Sequence, residues 1–320
     1  MKALVTGVAG FIGSNLADTL LARGWTVTGL DNFSTGRRRF LEGALRQPQF
    51  RLVEAELLDL APHHEHFRGV DVVFHLAANA DVRFGPDHPR RDLEQNTIAT
   101  ANVLEAMRIE GVKTICFSST GSVYGETEVV PTPENAPFPV QTSLYGASKV
   151  AAEGLIAAYC EAFGMRGCVY RFVSVLGERY THGHVIDFLR KLRQDPTRLP
   201  VLGNGRQRKS YLYVGDCVEG VLTGLERGSG RYNVFNLGTD EYCEVNDSIR
   251  VISEHLGVQP VIEYGGGDRG WVGDNPFIYL DCSRIRALGW RPQLTIAEGV
   301  QRTIEYLQAN PSLLEPEDAQ

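Results

Sequence analysis

The stretch TGVAGFIG, residues 6–13, sets Gly7, Gly10 and Gly13 three residues apart. It follows a short β-forming run, ALVTG (3–7), and leads into a helical pattern from Phe11 to Arg23. A strand that turns straight into a helix needs glycine at three places. Gly7 permits the tight turn, Gly10 lets backbone approach a ligand, and Gly13 lets the helix lie close to the sheet. The unpaired N–H groups and the dipole at that helix end favour an anion such as a pyrophosphate. The spacing is GxxGxxG rather than GxGxxG, so the strand–turn–helix context carries the reading.

Working outward, β-rich runs alternate with helical stretches. TVTGLD (26–31), FRLVEAEL (50–57), DVVFHLAA (71–78), VKTICFSS (112–119) and RGCVYRFVSV (166–175) read as strands. Residues near 91–110 and 144–163 read as helices. Continuous apolar strands separated by helices imply a parallel sheet buried on both faces. The expected fold is α/β, a doubly wound parallel (Rossmann) sheet with a smaller C-terminal α/β substrate lobe. Residues 1–175 would form the first domain and 176–320 mainly the lobe, with returns to the sheet near 211–240.

The 320 residues carry a formal net charge of −7, with 43% hydrophobic and 22% charged residues. A negative chain argues against nucleic acid or an anionic membrane as partner. No apolar run approaches the roughly 18 residues of a membrane span, and MKALVTGVAG lacks the parts of a signal peptide. The six cysteines (116, 160, 168, 217, 243, 282) are scattered, without a CxxC pair. They fit free thiols in a reducing cytosol. HHEH (63–66) follows Pro62 without a later ligand pair and reads as a polar loop; no metal site is expected.

Asp31 ends the second strand, roughly 20 residues past the glycine turn, where a carboxylate accepts both adenosine ribose hydroxyls. It would repel a 2′-phosphate, which favours NAD over NADP. Arg37, Arg38 and Arg39 pull the other way, and read as a solvated basic turn.

TGVAGFIG, DNFSTG (31–36), FHLAA (74–78), SSTGSVYG (118–125) and YGASK (145–149) occur in the order and spacing of the extended short-chain dehydrogenase/reductase family, which the chain resembles over nearly its whole length. Within that family it looks like the nucleotide-sugar epimerases, above all the UDP-glucose 4-epimerases. HLAANADVR, THG, LGNG with KSYLYV, and GGDRGW add to this likeness. The resemblance implies a homodimer, packed through the helices near 91–110 and 144–163, with Ala147, Ala151 and Ala152 permitting close approach.

Tyr145 and Lys149 are neighbours on one helix face. An ordinary tyrosine, with a pKa near 10, is a poor base at neutral pH. A nearby Lys⁺ and the positive nicotinamide are expected to lower it, making Tyr145 a general base. Lys149 would also hold the nicotinamide ribose. The resemblance puts Thr120 beside the reacting sugar oxygen. The implied reaction takes hydride from C4, forms a 4-keto sugar, turns the sugar over and returns hydride, with NAD retained. Gly121 and Ser122 follow Thr120 where sugar 4,6-dehydratases carry acids, which argues against dehydration.

The resemblance also implies the remaining contacts. Phe11 and Ile12 would offer N–H groups to the pyrophosphate. Asn32, Ser34, Thr35 and Gly36 would line the adenosine ribose, and Glu56 and Leu57 the adenine. Leu76, Ala77, Ala78 and Asn79 would run beneath the cofactor, with Asn96 supporting that loop and Phe172 and Val175 walling the nicotinamide. On the sugar-nucleotide side stand Arg83, Ser174, His184, Val185, Val201, Leu202, Lys209, Tyr211 and Arg269. Rival readings are 4-epimerisation of UDP-glucuronate, whose carboxylate Arg179 could meet, or of UDP-N-acetylglucosamine, left open by aliphatic Ile278. A keto-sugar-nucleotide reductase and a cofactor-binding module without chemistry complete the set.

Overall fold

The computed structural model describes the chain except Asp81, Arg83, Phe84, Phe138, Pro139, Val272, Gly273, Pro276 and residues 316–320. Arg83 therefore lies outside the described residues.

The first six strands in chain order are β1 (Lys2–Thr6), β2 (Thr26–Asp31), β3 (Phe50–Glu54), β4 (Val72–His75), β5 (Thr114–Thr120) and β6 (Arg166–Phe172). With the strand Tyr232–Leu237 they form one seven-stranded sheet, in the order Tyr232–Leu237, β6, β5, β4, β1, β2, β3. All of its pairings are parallel. Leu4, Val5, Val73 and Phe74 are fully buried, as expected for strands covered on both faces. The helix α1 (Phe11–Ala22) starts directly after the glycine turn.

Two crossovers differ from the expected pattern. Between β2 and β3, and between β3 and β4, the chain forms only short 3-10 turns. The segments are rich in breakers and charge: Gly36, Gly43 and Pro48 in the first, Pro62 with the HHEH run in the second. His64 of that run bonds Glu110 at 2.7 Å. The stretch near 91–110 is one helical path with a π-helical segment, Leu93–Ile98, between Pro89–Asp92 and Ala99–Glu110. The helix Leu144–Phe163 is capped by Ser143, whose Oγ accepts from Gly146 N at 3.0 Å, and stops at left-handed Gly164.

The run 166–175 splits in two. β6 ends at Phe172, and Ser174–Leu176 leaves the sheet to pair in parallel with Tyr211–Tyr213. The lobe beyond has its own core, where Leu189, Leu199, Ile252, Val300 and Ile304 meet. The helix Val214–Arg227 packs instead against the main sheet, with Cys217, Val218 and Val221 in the sheet's core. Phe11, at the start of α1, reaches into the lobe core and meets Tyr180 edge-on at 5.7 Å. No helix among the described residues is long and apolar enough to cross a membrane.

Candidate active site

The parallel register aims the carboxyl ends of β1, β2, β4, β5 and β6 at one edge of the sheet, where ligands bind in such folds. At β1 the glycines are sterically required. A Cβ on Gly13 would stand 2.1 Å from the Gly7 carbonyl oxygen. Gly7 has φ +68°, and a Cβ there would lie 2.8 Å from the Ala77 backbone. Gly10 precedes α1 and no side chain caps that helix end. This cradle of backbone, kept open by glycine, fits a pyrophosphate.

Asp31 is buried at the end of β2. Its Oδ2 accepts from Ala9 N at 2.8 Å and its Oδ1 from Phe33 N at 2.9 Å. Burial raises its pKa, and those two bonds oppose the rise. Each oxygen retains further acceptor capacity, and a Cβ on Gly36 would fall 2.6 Å from Oδ1, so glycine keeps that approach clear. Asn32 donates to Glu56 at 2.7 Å and accepts from the exposed Ser34. Thr35 is exposed beside it. Glu56 is beside them, while the Leu57 side chain points into the core. Exposed Arg38 and Arg39 follow, with Arg39 bonded to Ser312.

Half-buried Leu76, Ala77, Ala78 and Asn79 follow β4. Leu76 N donates to the Thr6 carbonyl and Ala77 N to Thr6 Oγ1, each at 3.3 Å. Asn96 clasps Asn79 through two bonds, accepting from its N at 2.9 Å and donating to its O at 3.2 Å.

Thr120 ends β5 directly beside Phe172 of β6. Its Oγ1 accepts from Ser122 N at 3.1 Å. Tyr145 is in the first turn of the Leu144–Phe163 helix. A Cβ on Gly146 would sit 2.9 Å from the Ser122 carbonyl, so the glycine of YGASK lets the helix start close to the Thr120 turn. The Thr120 hydroxyl donates to Ser122 Oγ at 3.2 Å, and its nearness lowers the pKa of the Tyr145 phenol. Lys149 is 1% exposed. Its Nζ donates to the Ser118 carbonyl at 2.9 Å and lies 4.7 Å from the Phe117 ring centre and 6.0 Å from that of Tyr145.

The electrostatics correct one expectation. Burial pushes the Tyr145 phenol up to about 12; Thr120 lowers it and Asp92 raises it. Lys149 bonds a carbonyl rather than the phenol, and burial brings its own pKa down to about 7, against the pull of Glu153 and Asp92. The Tyr145 base is thus not pre-lowered by Lys149 alone, and the hydroxyl of Thr120 is the group that favours phenolate.

On the sugar side, Ser174 is exposed and pairs in register with Tyr211, with half-buried Val175 beside Leu212. Val185, Val201 and Tyr211 place their side chains in the lobe core, and the Val201 carbonyl accepts from Gly265 N. Leu202, beside Val201, is 56% exposed. His184 begins the His184–Gln194 helix, 4.8 Å from the Tyr211 ring centre. Burial and Lys209 hold it neutral, near 4, and its Nε2 has no partner among the described residues. Lys209 pairs with buried Asp274 at 2.7 Å and also bonds the Asn275 carbonyl. Arg269 pairs with Glu126 at 2.6 Å and bonds the Asp274 carbonyl at 2.7 Å. Ile278 stands against Gly121, where a Cβ would meet its Cγ2 at 2.8 Å. Arg179, offered above for a sugar carboxylate, instead pairs with Asp18 of α1 at 2.6 Å.

Sequence reading missed several groups. Glu153, one turn beyond Lys149, forms a buried bidentate pair with Arg171 at 3.0 and 2.7 Å and accepts from Ser119. The spacing of Tyr145, Lys149 and Glu153 was the available signal. His75 is buried between Thr6 (2.7 Å) and Thr100 (2.9 Å), and Asp92 is buried beside Asn79.

A sheet in this order, with a glycine cradle at β1 and a Tyr–Lys pair opposite it, defines a dinucleotide-dependent enzyme acting on a hydroxyl or carbonyl carbon. Residues 3–238 match the NAD dependent epimerase/dehydratase family, and the chain belongs to it. A UDP-glucose 4-epimerase of Mycolicibacterium smegmatis is 34% identical, over 96% of this chain and 99% of its own. A crystal structure of a UDP-galactose 4-epimerase is 40% identical, with a TM-score of 0.85 over 97% of this chain and 99% of that one. The Thermus thermophilus UDP-glucose 4-epimerase in complex with NAD is 31% identical, with a TM-score of 0.85 over 96% and 99% of the two chains.

Proposed function

We propose that this enzyme is a UDP-hexose 4-epimerase that interconverts UDP-glucose and UDP-galactose. The observation that carries this reading is the meeting of Thr120, Tyr145 and Lys149 at the carboxyl edge of the sheet, facing the glycine cradle. NAD, when bound, takes hydride from sugar C4 and gives it back. Gly7, Gly10, Gly13, Phe11 and Ile12 would hold its pyrophosphate, Asp31 its adenosine ribose and Lys149 its nicotinamide ribose. Tyr145 removes the 4-hydroxyl proton and later returns it. Thr120 orients that hydroxyl and stabilises the phenolate by hydrogen bonding. Lys149 adds positive charge to the same turn. The 4-keto sugar turns its other face between the two proton transfers, so C4 is inverted.

Lys209, Arg269 and His184 are the groups we assign to the nucleotide diphosphate and its surroundings, within a sugar-nucleotide lobe made mainly by residues 176–320. The Arg179–Asp18 pair weighs against UDP-glucuronate, and Asp31 against a net reductase using NADP. Ile278 beside the Thr120 turn is compatible with an N-acetyl sugar as a second substrate. A homodimer is supported by exposed Ala147, Ala151, Gly154 and Ala158, which form one small-residue stripe; Ala152, assigned above to that face, is buried in its own subunit. Six free thiols suit the cytosol.

The test is to purify the enzyme, add no cofactor, and follow UDP-glucose and UDP-galactose by proton NMR of the anomeric region. Interconversion is expected. No change in either sugar after NAD is supplied overturns the reading.

A further inference from the structure

Asp92 belongs to none of the motifs above, yet it is 1% exposed. It closes the Pro89–Asp92 turn where the chain widens into the π-helical Leu93–Ile98 segment. Such widenings re-aim side chains and recur at functional sites. Its Oδ1 accepts from Asn79 Nδ2 at 2.7 Å and from Asn96 Nδ2 at 3.5 Å. Asn96 Nδ2 also donates to Ser148 Oγ at 3.0 Å, and Ser148 Oγ donates to the Tyr145 carbonyl at 2.8 Å. Thr97 adds a bond to the Ser148 carbonyl at 3.1 Å. A continuous set of bonds therefore runs from the loop after β4, through Asp92 and Asn96, to the turn that carries Tyr145 and Lys149. Gly85 packs against the carboxylate: a Cβ there would be 3.1 Å from Oδ2.

We propose that Asp92 is a positioning residue that fixes the Asn79 loop and the Tyr145–Lys149 turn to one another and serves as a counter-charge to the buried Lys149 ammonium. The charged and titratable groups around Lys149 are Glu153 and Tyr145 on its own helix, Asp92, and His75 on β4, whose ionisation Lys149 opposes. Glu153 is committed to Arg171 by two short bonds. Asp92 raises the pKa of both Tyr145 and Lys149. Burial is the larger influence on both groups; the Asp92 charge shifts them together on the pH axis, while its hydrogen bonds set where the pair stands.

The roles of Tyr145 and Lys149 rest on the epimerase reading, so the experiment separates the two. The holoenzyme is compared with Asp92→Asn, which keeps the size and the Oδ1 acceptor but removes the charge. Both limbs of the bell-shaped kcat profile are expected to move to lower pH, by about one unit, with KM for UDP-glucose changed less than about twofold. Ultraviolet titration of the phenolate, taken as the difference from a Tyr145→Phe background, is expected to shift the same way, and it reads out without turnover. Asp92→Glu, which keeps the charge, should leave both curves in place. A wild-type enzyme that turns over beside a D92N variant with unmoved curves overturns the proposal. A wild-type enzyme that does not turn over overturns the epimerase reading, and the phenolate titration still decides on Asp92. Should D92N not fold, Asn79→Ala removes the loop's bond while sparing the charge. Faster loss of NAD on gel filtration, about tenfold, with the phenolate titration unmoved, is then expected, and unchanged retention overturns the coupling.

Discussion

The cofactor end of the sheet and the sugar side are built by different forces. At the cofactor end, backbone decides: Gly7, Gly13 and Gly146 stand where no Cβ fits, and β1 and β4 end in register, Thr6 beside His75, with β5 running on past Phe117 to Thr120. On the sugar side, side chains decide: Lys209 is held by Asp274 and Arg269 by Glu126, and those pairs could have formed otherwise. Steric exclusion admits one arrangement, whereas competing ion pairs admit several of similar free energy. The first kind of site is rigid and written locally. The second is adjustable, and suits a substrate that must turn over during the reaction.

If this contrast is right, damage to the cofactor end should be severe and all-or-none. Tyr145→Phe removes the proton acceptor while keeping the ring, so kcat should fall roughly a thousandfold, with NAD retention and melting temperature near wild type. A residual rate within tenfold of wild type would move the base elsewhere, to Thr120 or a water. Gly13→Ala must push the helix start off the Gly7 carbonyl. Loss of copurifying NAD is expected, with a stability cost of roughly 2 kcal/mol in denaturant unfolding. A G13A protein that still carries NAD would show that the cradle yields, and the contrast with the sugar side would collapse.

Legibility in the sequence follows the same divide. The doubly wound sheet could be read from apolar runs and one glycine turn because parallel strands must be buried on both faces, and the register then carries Thr120 and Tyr145 to the same edge. The short 3-10 crossovers around β3 were not legible, since helix periodicity says nothing where Gly36, Gly43 and Pro48 break it. For Tyr145, i,i+4 spacing gives proximity to Lys149 but not the direction of Nζ, which bonds the Ser118 carbonyl. Val185 and Val201, placed on the ligand side by position, bury their side chains in the lobe core, a burial without a local signal. Arg179 found Asp18, 161 residues away in sequence, a partner that no local pattern announces.

The sugar side should respond in degree. Lys209→Met removes a cation whose partner, Asp274, is buried. KM for the UDP-sugar should rise about tenfold, the scale of one charge-assisted hydrogen bond, with kcat changed little. A fall in kcat equal to the fall in kcat/KM would mean that Lys209 acts in the transition state, and the sugar side would then be as sharply set as the cofactor end.

The smallest effect probes whether the cofactor end is electrostatically as well as sterically fixed. Burial and the nearby Lys149 depress the His75 pKa to about 3, against an ordinary 6.5. Below pH 6.5 the unfolded chain binds a proton that the folded chain refuses. The corresponding stability is present in full above pH 6.5 and drains away as pH falls toward 3, by roughly 1 kcal/mol per pH unit. Denaturant unfolding of the wild type between pH 7 and 5 should therefore show this loss, and His75→Asn should show a shallower slope, whatever its stability at pH 7. Parallel slopes would mean that Thr6 and Thr100 accommodate an imidazolium, and that the strand ends beneath the cofactor loop hold their place by packing alone.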